Sequence, residues 1–468
     1  MLFADELDPT ATLAAVESMV ERRRALDVEE VLLALRWADL HGTDPQLEPD
    51  AVPARLGGDH LVAYGGEGTP LVQDLCAPEL AIALRVNPLS ARRLVADSLD
   101  LRHRLPLTLR KFLEQGCPGW LVRKIATMTR GLSQDAAGLV DAAVAEAIAA
   151  ESPGRVLGIA EAKIIEADAE AHAAELERKR RAKHVSLTRS DEHGLRYLIA
   201  HIEAGDAVWI DAIVDRLADI LDERRDLVPD LPADCSKDEL RATALGWLAR
   251  PADAHALLTG AYPGPDQPAA PKPPRSTSRD AVVYVHLHQA AVQGIATGVA
   301  RVEDLGPLLL QQLRELLGHA DVKLAPVIDL NKQVSVNSYE HPEDVKERAH
   351  LRTTGDVFPH AVSQSRRTDT DHPDPYVPHG PPGQTGDHNA GRLRRAHHRA
   401  KTHKGYRVTQ LGPAEYLWRT PHGLCRLVDV CGTHDLTEAE AWLLEHADTY
   451  DAALDELAER TRARQTVS

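Results

Sequence analysis

Residues 366–404 read RRTDTDHPDPYVPHGPPGQTGDHNAGRLRRAHHRAKTHK, and this stretch decides the fold of the C-terminal part. Asp371 and His372 stand together, and Pro373 and Pro375 follow at once. Sixteen residues separate His372 from Asn389, eight separate Asn389 from His398, and two separate His398 from Lys401. The run HGPPGQTGDHN between them is rich in Gly and Pro, which favour turns and cannot sustain a helix. The pattern predicts a ββα hairpin. His372 ends the first strand, the Gly/Pro loop turns the chain round, and Asn389 opens a helix. Residues three apart on that helix, His398 and Lys401, lie on neighbouring faces.

These residue types match what hydrolysis of a phosphodiester requires. A water must lose a proton, and an imidazole near its ordinary pKa is the natural general base at neutral pH. His372 is the candidate. A divalent cation must stabilise charge on the phosphate and the leaving oxygen. Asp371 offers a hard oxygen ligand and His398 an imidazole. The amide of Asn389 suits pinning the loop and orienting His372. Lys401, Arg395 and Arg399 suit phosphate binding. Each residue alone has a plainer reading. Asp371 is a turn cap, Asn389 a helix N-cap, Lys401 a solvated helix charge, and His372 a solvated loop residue. The spacing of the whole set favours chemistry. His397 reads as a packed or supporting residue, Asp369 as structural, and His379, His388 and His403 as surface residues.

The charge distribution points the same way. The 468-residue chain carries a formal charge of −17, against a surface coated throughout for nucleic acid. Residues 351–410 nevertheless hold ten Lys or Arg against five acids, and seven His besides. That balance of +5 leaves −22 on the other 408 residues, which marks a polyanion-binding module on an acidic carrier. Five scattered cysteines show no CxxC pair, so neither a disulfide framework nor a zinc knuckle is expected. The N-terminus MLFADELDPT lacks a basic region followed by an apolar one, and no window of about 18 apolar residues occurs. The expected location is the cytoplasm, with no membrane partner.

Outward from the motif, aromatics are only 4% of a chain that is 43% hydrophobic, so Ala, Leu and Val must do most of the packing. The expected class is mainly α with small β elements. Residues 8–41 read as two helices, capped by Asp8 and begun by Pro9. Residues 43–70 read as loop, and helical periodicity resumes from 78 to about 183. The segment HVSLTRSDEHGLRYLIAHIEAGD has two β-rich runs around a turn at Gly194, a hairpin signal, and the helix AVWIDAIVDRLADILDERRD follows. Six prolines in residues 263–275 mark a linker. Beyond it AVVYVHLH, KLAPVIDL and QVSVNSY read as strands, VEDLGPLLLQQLRELLG as a helix, and 436–464 as an acidic amphipathic helix. The resulting division is a helical domain over 1–261, a linker over 262–280 and an α/β continuation over 281–350. A ββα module over 351–425 and a tail over 426–468 complete it. Residues 80–99, LAIALRVNPLSARRLVADSL, have the look of a helix-turn-helix, but their acidic surroundings favour an ordinary helical corner.

The framing DVFPHAVSQSRRTDTDHPDPY, GPPGQT, HHRAKTH and YLWRTPHG resembles the HNH nuclease, or ββα-metal, motif. It is similar to actinobacterial HNH proteins of the thirteen-E-twelve repeat family, whose nuclease segment follows a helical domain of unknown function, number 222. The resemblance covers roughly 10–330 to the helical domain and 350–425 to the HNH module. It implies metal binding by Asp371 and His398, a general base at His372, and loop support by Asn389. Many members carry paired cysteines for a second, structural zinc. The matching positions here are Asp356, Ala361, Thr368 or Asp369, and Arg394. The module is therefore expected to hold one catalytic cation, Mg²⁺ first and Mn²⁺, Ni²⁺ or Zn²⁺ as alternatives. Ala390 also stands where Leu usually follows the Asn. The expected function is a metal-dependent DNA endonuclease, with self-association through the N-terminal helices. Two alternatives remain open: a DNA-binding or mobile-element accessory protein with an inactive module, and a helical scaffold without a nucleic-acid role.

Overall fold

Residues 10–40 contain neither Gly nor Pro, and nothing in them breaks a helix. A single helix, α1 (Pro9–Leu40), therefore stands where two were expected. Asp8 caps it by accepting from the Ala11 amide at 2.7 Å, and Pro9 supplies the first turn. The computed structural model describes residues 7–114, 117–167, 181–188, 195–229, 231–232, 234–263, 329–353 and 355–446. For 285–286, 299–302 and 306–309 it describes the backbone alone. The architecture is mainly α with small β elements. No helix among the described residues is long and apolar enough to cross a membrane.

The chain forms two compact units. One is assembled from residues 1–172 and 326–468, the other from 173–325. This differs from the expected break after residue 261.

In the first unit, the segment expected to be loop carries two 3₁₀ turns and strand β1 (Leu61–Ala63), which pairs antiparallel with β2 (Leu71–Gln73). Six helices follow: α2 (Ala77–Leu84), α3 (Pro88–His103), α4 (Pro106–Leu113), α5 (Gly119–Thr129), α6 (Gln134–Ala147) and α7 (Pro153–Ala167). The expected continuation of α7 over 168–180 lies outside the described residues. Asn87 caps α3 through the Ser90 amide. Residues 94–101 of α3 are all buried, so it is the central rod of the bundle. The core is built of small and branched side chains such as Val95, Leu99, Val122, Ile125 and Val140, as the scarcity of aromatics requires. Two acids of α3 are paired across it. Arg130 donates to Asp97 at 2.6 Å and to Asp100 at 2.7 Å.

The second unit contains the expected hairpin, β3 (His184–Leu187) against β4 (Leu198–His201); its turn at Gly194 lies outside the described residues. Helix α8 (Ala204–Glu223) packs on α9 (Lys237–Trp247) and α10 (Pro251–Leu258) around Leu217, Leu221, Ala244 and Trp247. Strands β5 (Val285–His286), β6 (Val299–Val302) and β7 (Gly306–Leu309) form an antiparallel sheet in that order. Strand β7 replaces the start of the helix expected over 302–318. Gly306 and Pro307 open it, and neither favours a helix interior. Residues 310–328, with most of the expected strand KLAPVIDL, and residues 264–280 of the expected linker lie outside the described residues.

The first unit resumes with β8 (Ser335–Val336) and α11 (Glu343–Thr353), followed by β9 (Asp369–Asp371), β10 (Thr385–Gly386), β11 (Gly391–Leu393) and α12 (Arg395–His403). Strand β10 pairs with β8, and β9 with β11. A meander of β12 (Arg407–Gly412), β13 (Glu415–Arg419), β14 (Cys425–Asp429) and β15 (Gly432–Leu436) leads to α13 (Glu438–His446). The tail beyond 446 lies outside the described residues. Trp418, Tyr416, Phe358, Val357 and Leu393 form the core of this part, and Ile82 of α2 is buried within the same cluster.

Candidate active site

The ββα hairpin is β9, a long loop, β11 and α12. Its register sets Asp371 opposite Gly391 and Asp369 opposite Leu393. Asn389 does not open the helix. It closes a 3₁₀ turn over Asp387–Asn389 and feeds β11, whose backbone finds its partner in β9, so the helix starts only at Arg395. The side-chain oxygen of Asn389 accepts from the Asp374 amide at 2.8 Å. Its nitrogen donates to the carbonyls of Asp374 (3.0 Å) and Gln384 (2.9 Å). Asn389 thus pins both ends of the loop, and these bonds go to backbone, not to the imidazole of His372.

Asp371 and His398 come together. Asp371 Oδ1 lies 3.2 Å from His398 Nε2, and Lys401 Nζ lies 2.7 Å from the other oxygen, Oδ2. The second nitrogen of His398 meets Asp369 Oδ2 at 2.9 Å, and Asp369 also accepts from Arg395 at 3.0 Å. Burial alone would raise the Asp371 carboxyl, but the bond to His398 and the charge of Lys401 hold it below the usual carboxylate value. The hydrogen bond to Asp371 raises His398 against the opposing effect of burial, and Asp369 adds to it.

His372 is buried at 6% exposure. Its Nε2 lies 2.8 Å from the Thr385 hydroxyl, and its ring packs 4.2 Å from His341 and 5.5 Å from Tyr339, centroid to centroid. Burial, with His341 alongside, pushes the His372 imidazole down to about 4. His341 is fixed in turn by the Asn389 carbonyl at 2.9 Å. Sequence reasoning missed Tyr339, His341 and Thr385. The first two lie ahead of the motif with no spacing to tie them to it. Thr385 stood inside the quoted loop, where a lone hydroxyl between glycines carried no signal.

The three residues expected to bind phosphate separate. Lys401 is buried at 7% exposure, its ammonium engaged by Asp371 and by the His372 carbonyl. Arg399 turns away from the site and donates to the Gly57 carbonyl at 2.9 Å and to Asp74 at 3.0 Å. Arg395 alone of the three keeps an exposed side chain, 74% accessible. The positions at which the resemblance implies zinc cysteines are occupied otherwise. Asp356 accepts from His397 Nδ1 at 2.6 Å, and that imidazole stacks on Phe358. Ala361 packs against the core, and Arg394 precedes the first turn of α12. His379 and His388 are exposed, and His403 is half-buried.

A cation fits the Asp371–His398 pair. Two neighbouring ligands of an octahedral ion, each about 2.1 Å from it, stand roughly 3 Å apart, close to the observed 3.2 Å. Among the described residues no three Asp, Glu, His or Cys side chains converge as a closed metal cage. A cation held by this pair alone would have one hard oxygen and one nitrogen from the protein and its other positions open to substrate and water.

No curated protein and no solved structure matches the chain. The family model described as a domain of unknown function, DUF222, matches residues 66–342, from the bundle of the first unit through the second unit to His341 beside His372. Over more than half its length, the chain belongs to the DUF222 family.

Proposed function

We propose that the protein is a metal-dependent HNH endonuclease that hydrolyses DNA phosphodiester bonds. The observation that carries this reading is the convergence of Asp371 Oδ1 on β9 with His398 Nε2 on α12, with the buried imidazole of His372 next in the chain to Asp371. His372 Nε2 lies 2.8 Å from the Thr385 hydroxyl, and in the tautomer that donates Nε2–H to that hydroxyl, Nδ1 would carry the lone pair that takes a proton from water. Asp371 and His398 would hold the divalent cation, which when bound stabilises charge on the scissile phosphate and the leaving oxygen. Asp369 orients the His398 ring from its other nitrogen. Asn389 keeps the loop closed over the base. The local excess of Lys and Arg over acids in 351–410 favours a polyanionic substrate.

One observation favours the alternative of a DNA-binding accessory protein with an inactive module. The ammonium of Lys401 already lies 2.7 Å from Asp371 Oδ2 and neutralises the carboxylate that the cation would need. Relaxation of supercoiled plasmid by the purified protein with Mg²⁺, Mn²⁺, Ni²⁺ or Zn²⁺ separates the two. The nuclease reading expects His372→Ala to lower the rate by about 10²–10⁴, as loss of a general base does, with DNA affinity unchanged. Equal cutting by parent and variant would exclude His372 as the base. No cutting with any of the four ions would favour the accessory reading.

A further inference from the structure

Helix α12 carries His398 on one face and is fastened on another to the helical bundle, hundreds of residues earlier in the chain. Arg399 reaches the carbonyl of Gly57 at 2.9 Å and Asp74 at 3.0 Å. Lys404, just past the helix, donates to Asp59 and to Gln73, both at 2.8 Å. The receiving loop is built for close approach. Gly57 has φ +97°, and a Cβ on Gly58 would fall 1.8 Å from the Val52 carbonyl oxygen. Asp74 is itself held by Arg92 of α3, the central rod of the bundle, at 2.9 Å.

A chain of charge-assisted bonds thus runs from α3 through Arg92, Asp74 and Arg399 to the residue next to His398. Such bonds are short and directional. They fix the rotation of α12 about its own axis, and that rotation sets how His398 Nε2 faces Asp371. We infer that Asp74 is a positioning residue for the cation centre: through Arg399 it sets the angle at which α12 presents His398 to Asp371. The inference rests on the reading of Asp371 and His398 as cation ligands. It gives part of the family-matched region a task in the site, because Asp74 lies within residues 66–342.

The test uses the full-length protein and Mn²⁺ binding followed by electron paramagnetic resonance, which needs no catalysis. Asp74→Ala is expected to weaken Mn²⁺ binding about ten-fold or more, the range seen when partners behind a metal ligand are removed. Asp74→Asn, which keeps an acceptor oxygen, should lose less, and it decides the matter if the alanine variant does not fold. Glu79→Ala is the control. It removes another tie between the bundle and the same module, Glu79 to His422 at 2.8 Å, without touching α12, and should leave the affinity unchanged. If cleavage occurs, Asp74→Ala should lower kcat while KM for DNA stays the same. Unaltered Mn²⁺ affinity in Asp74→Ala, or equal weakening in Glu79→Ala, overturns the inference. Failure of the parent to bind Mn²⁺ also overturns it, since no ion is then positioned. A parent that binds Mn²⁺, loses it in Asp371→Ala and yet cuts no DNA sinks the nuclease reading alone, and the comparison of Asp74 variants still decides the positioning role.

Discussion

At the scale of single residues, Asp387 shows how the loop over His372 is held in place. Its carboxylate is fully buried and accepts from Arg348 at 2.7 and 2.8 Å, from Arg352 at 3.0 Å and from the Val334 amide at 2.8 Å. Burial alone would raise this carboxyl, but the bonds from Arg348 and Val334, with the charges of both arginines, hold it below its usual value. Asp387→Ala leaves Arg348 buried without its main partner, and breaking such a pair typically costs about 3–5 kcal/mol. Denaturant unfolding of parent and variant at pH 7 should show a loss of that size. The sign of the pH effect follows from the depressed folded value. The stabilisation is full above the unfolded carboxyl value of about 3.9 and is lost as pH falls through the folded one. The difference between parent and variant should therefore be flat from neutral pH to about pH 5 and shrink only below about pH 4. A difference that shrinks between pH 8 and 6 would assign the effect to another group.

Asp371, His372, Asn389 and His398 were legible in the sequence because one short hairpin carries them all, and local spacing encodes local geometry. The supports were not. Arg399 and Gly57 lie 342 positions apart, and no periodicity within either segment points to the other. A lysine and two arginines on one short helix look alike in a sequence. Only packing shows that one is buried in the site, one is a clamp on another part of the unit, and one faces solvent.

At the scale of elements, the ββα hairpin is too small to bury a core of its own, and it borrows from its neighbours. Ile82, on the short helix α2, is fully buried among Val357, Phe358, Leu393 and Trp418 of the hairpin side. This side chain sits in a segment whose sequence suggested a helix-turn-helix. It is a wedge that joins the bundle to the ββα hairpin. Ile82→Ala should cost about 2–5 kcal/mol, as truncation of a buried aliphatic residue does. Both parts should lose stability in one transition, read by far-ultraviolet circular dichroism and by Trp418 fluorescence. Two separate transitions, with only the bundle affected, would show that α2 does not couple them. Helix signals such as Asp8–Pro9 were readable because caps act within one turn. The strand β7 was misread because its apolar run gave helix periodicity more weight than the Gly-Pro pair at its start.

At the scale of the whole molecule, the unit that carries the site is made from both ends of the chain, with residues 173–325 forming a body of their own between them. A segment such as 351–410, basic as it is, is therefore not self-contained. Its helix leans on Asp74 and its core on Ile82. This discontinuity governs the order of events during synthesis. The ribosome releases Asp74 325 positions ahead of Arg399, so an interrupted chain carries the platform without the helix that docks on it. On the nuclease reading, aborted translation yields no fragment able to cut the cell's own DNA. The same arrangement predicts the fate of a nick. If a protease site is placed after residue 263 and cleaved, the two pieces should stay together through size-exclusion chromatography without a covalent link, because each holds half of one folded body. Pieces that part under native conditions would show that the halves meet too weakly for one to complete the other.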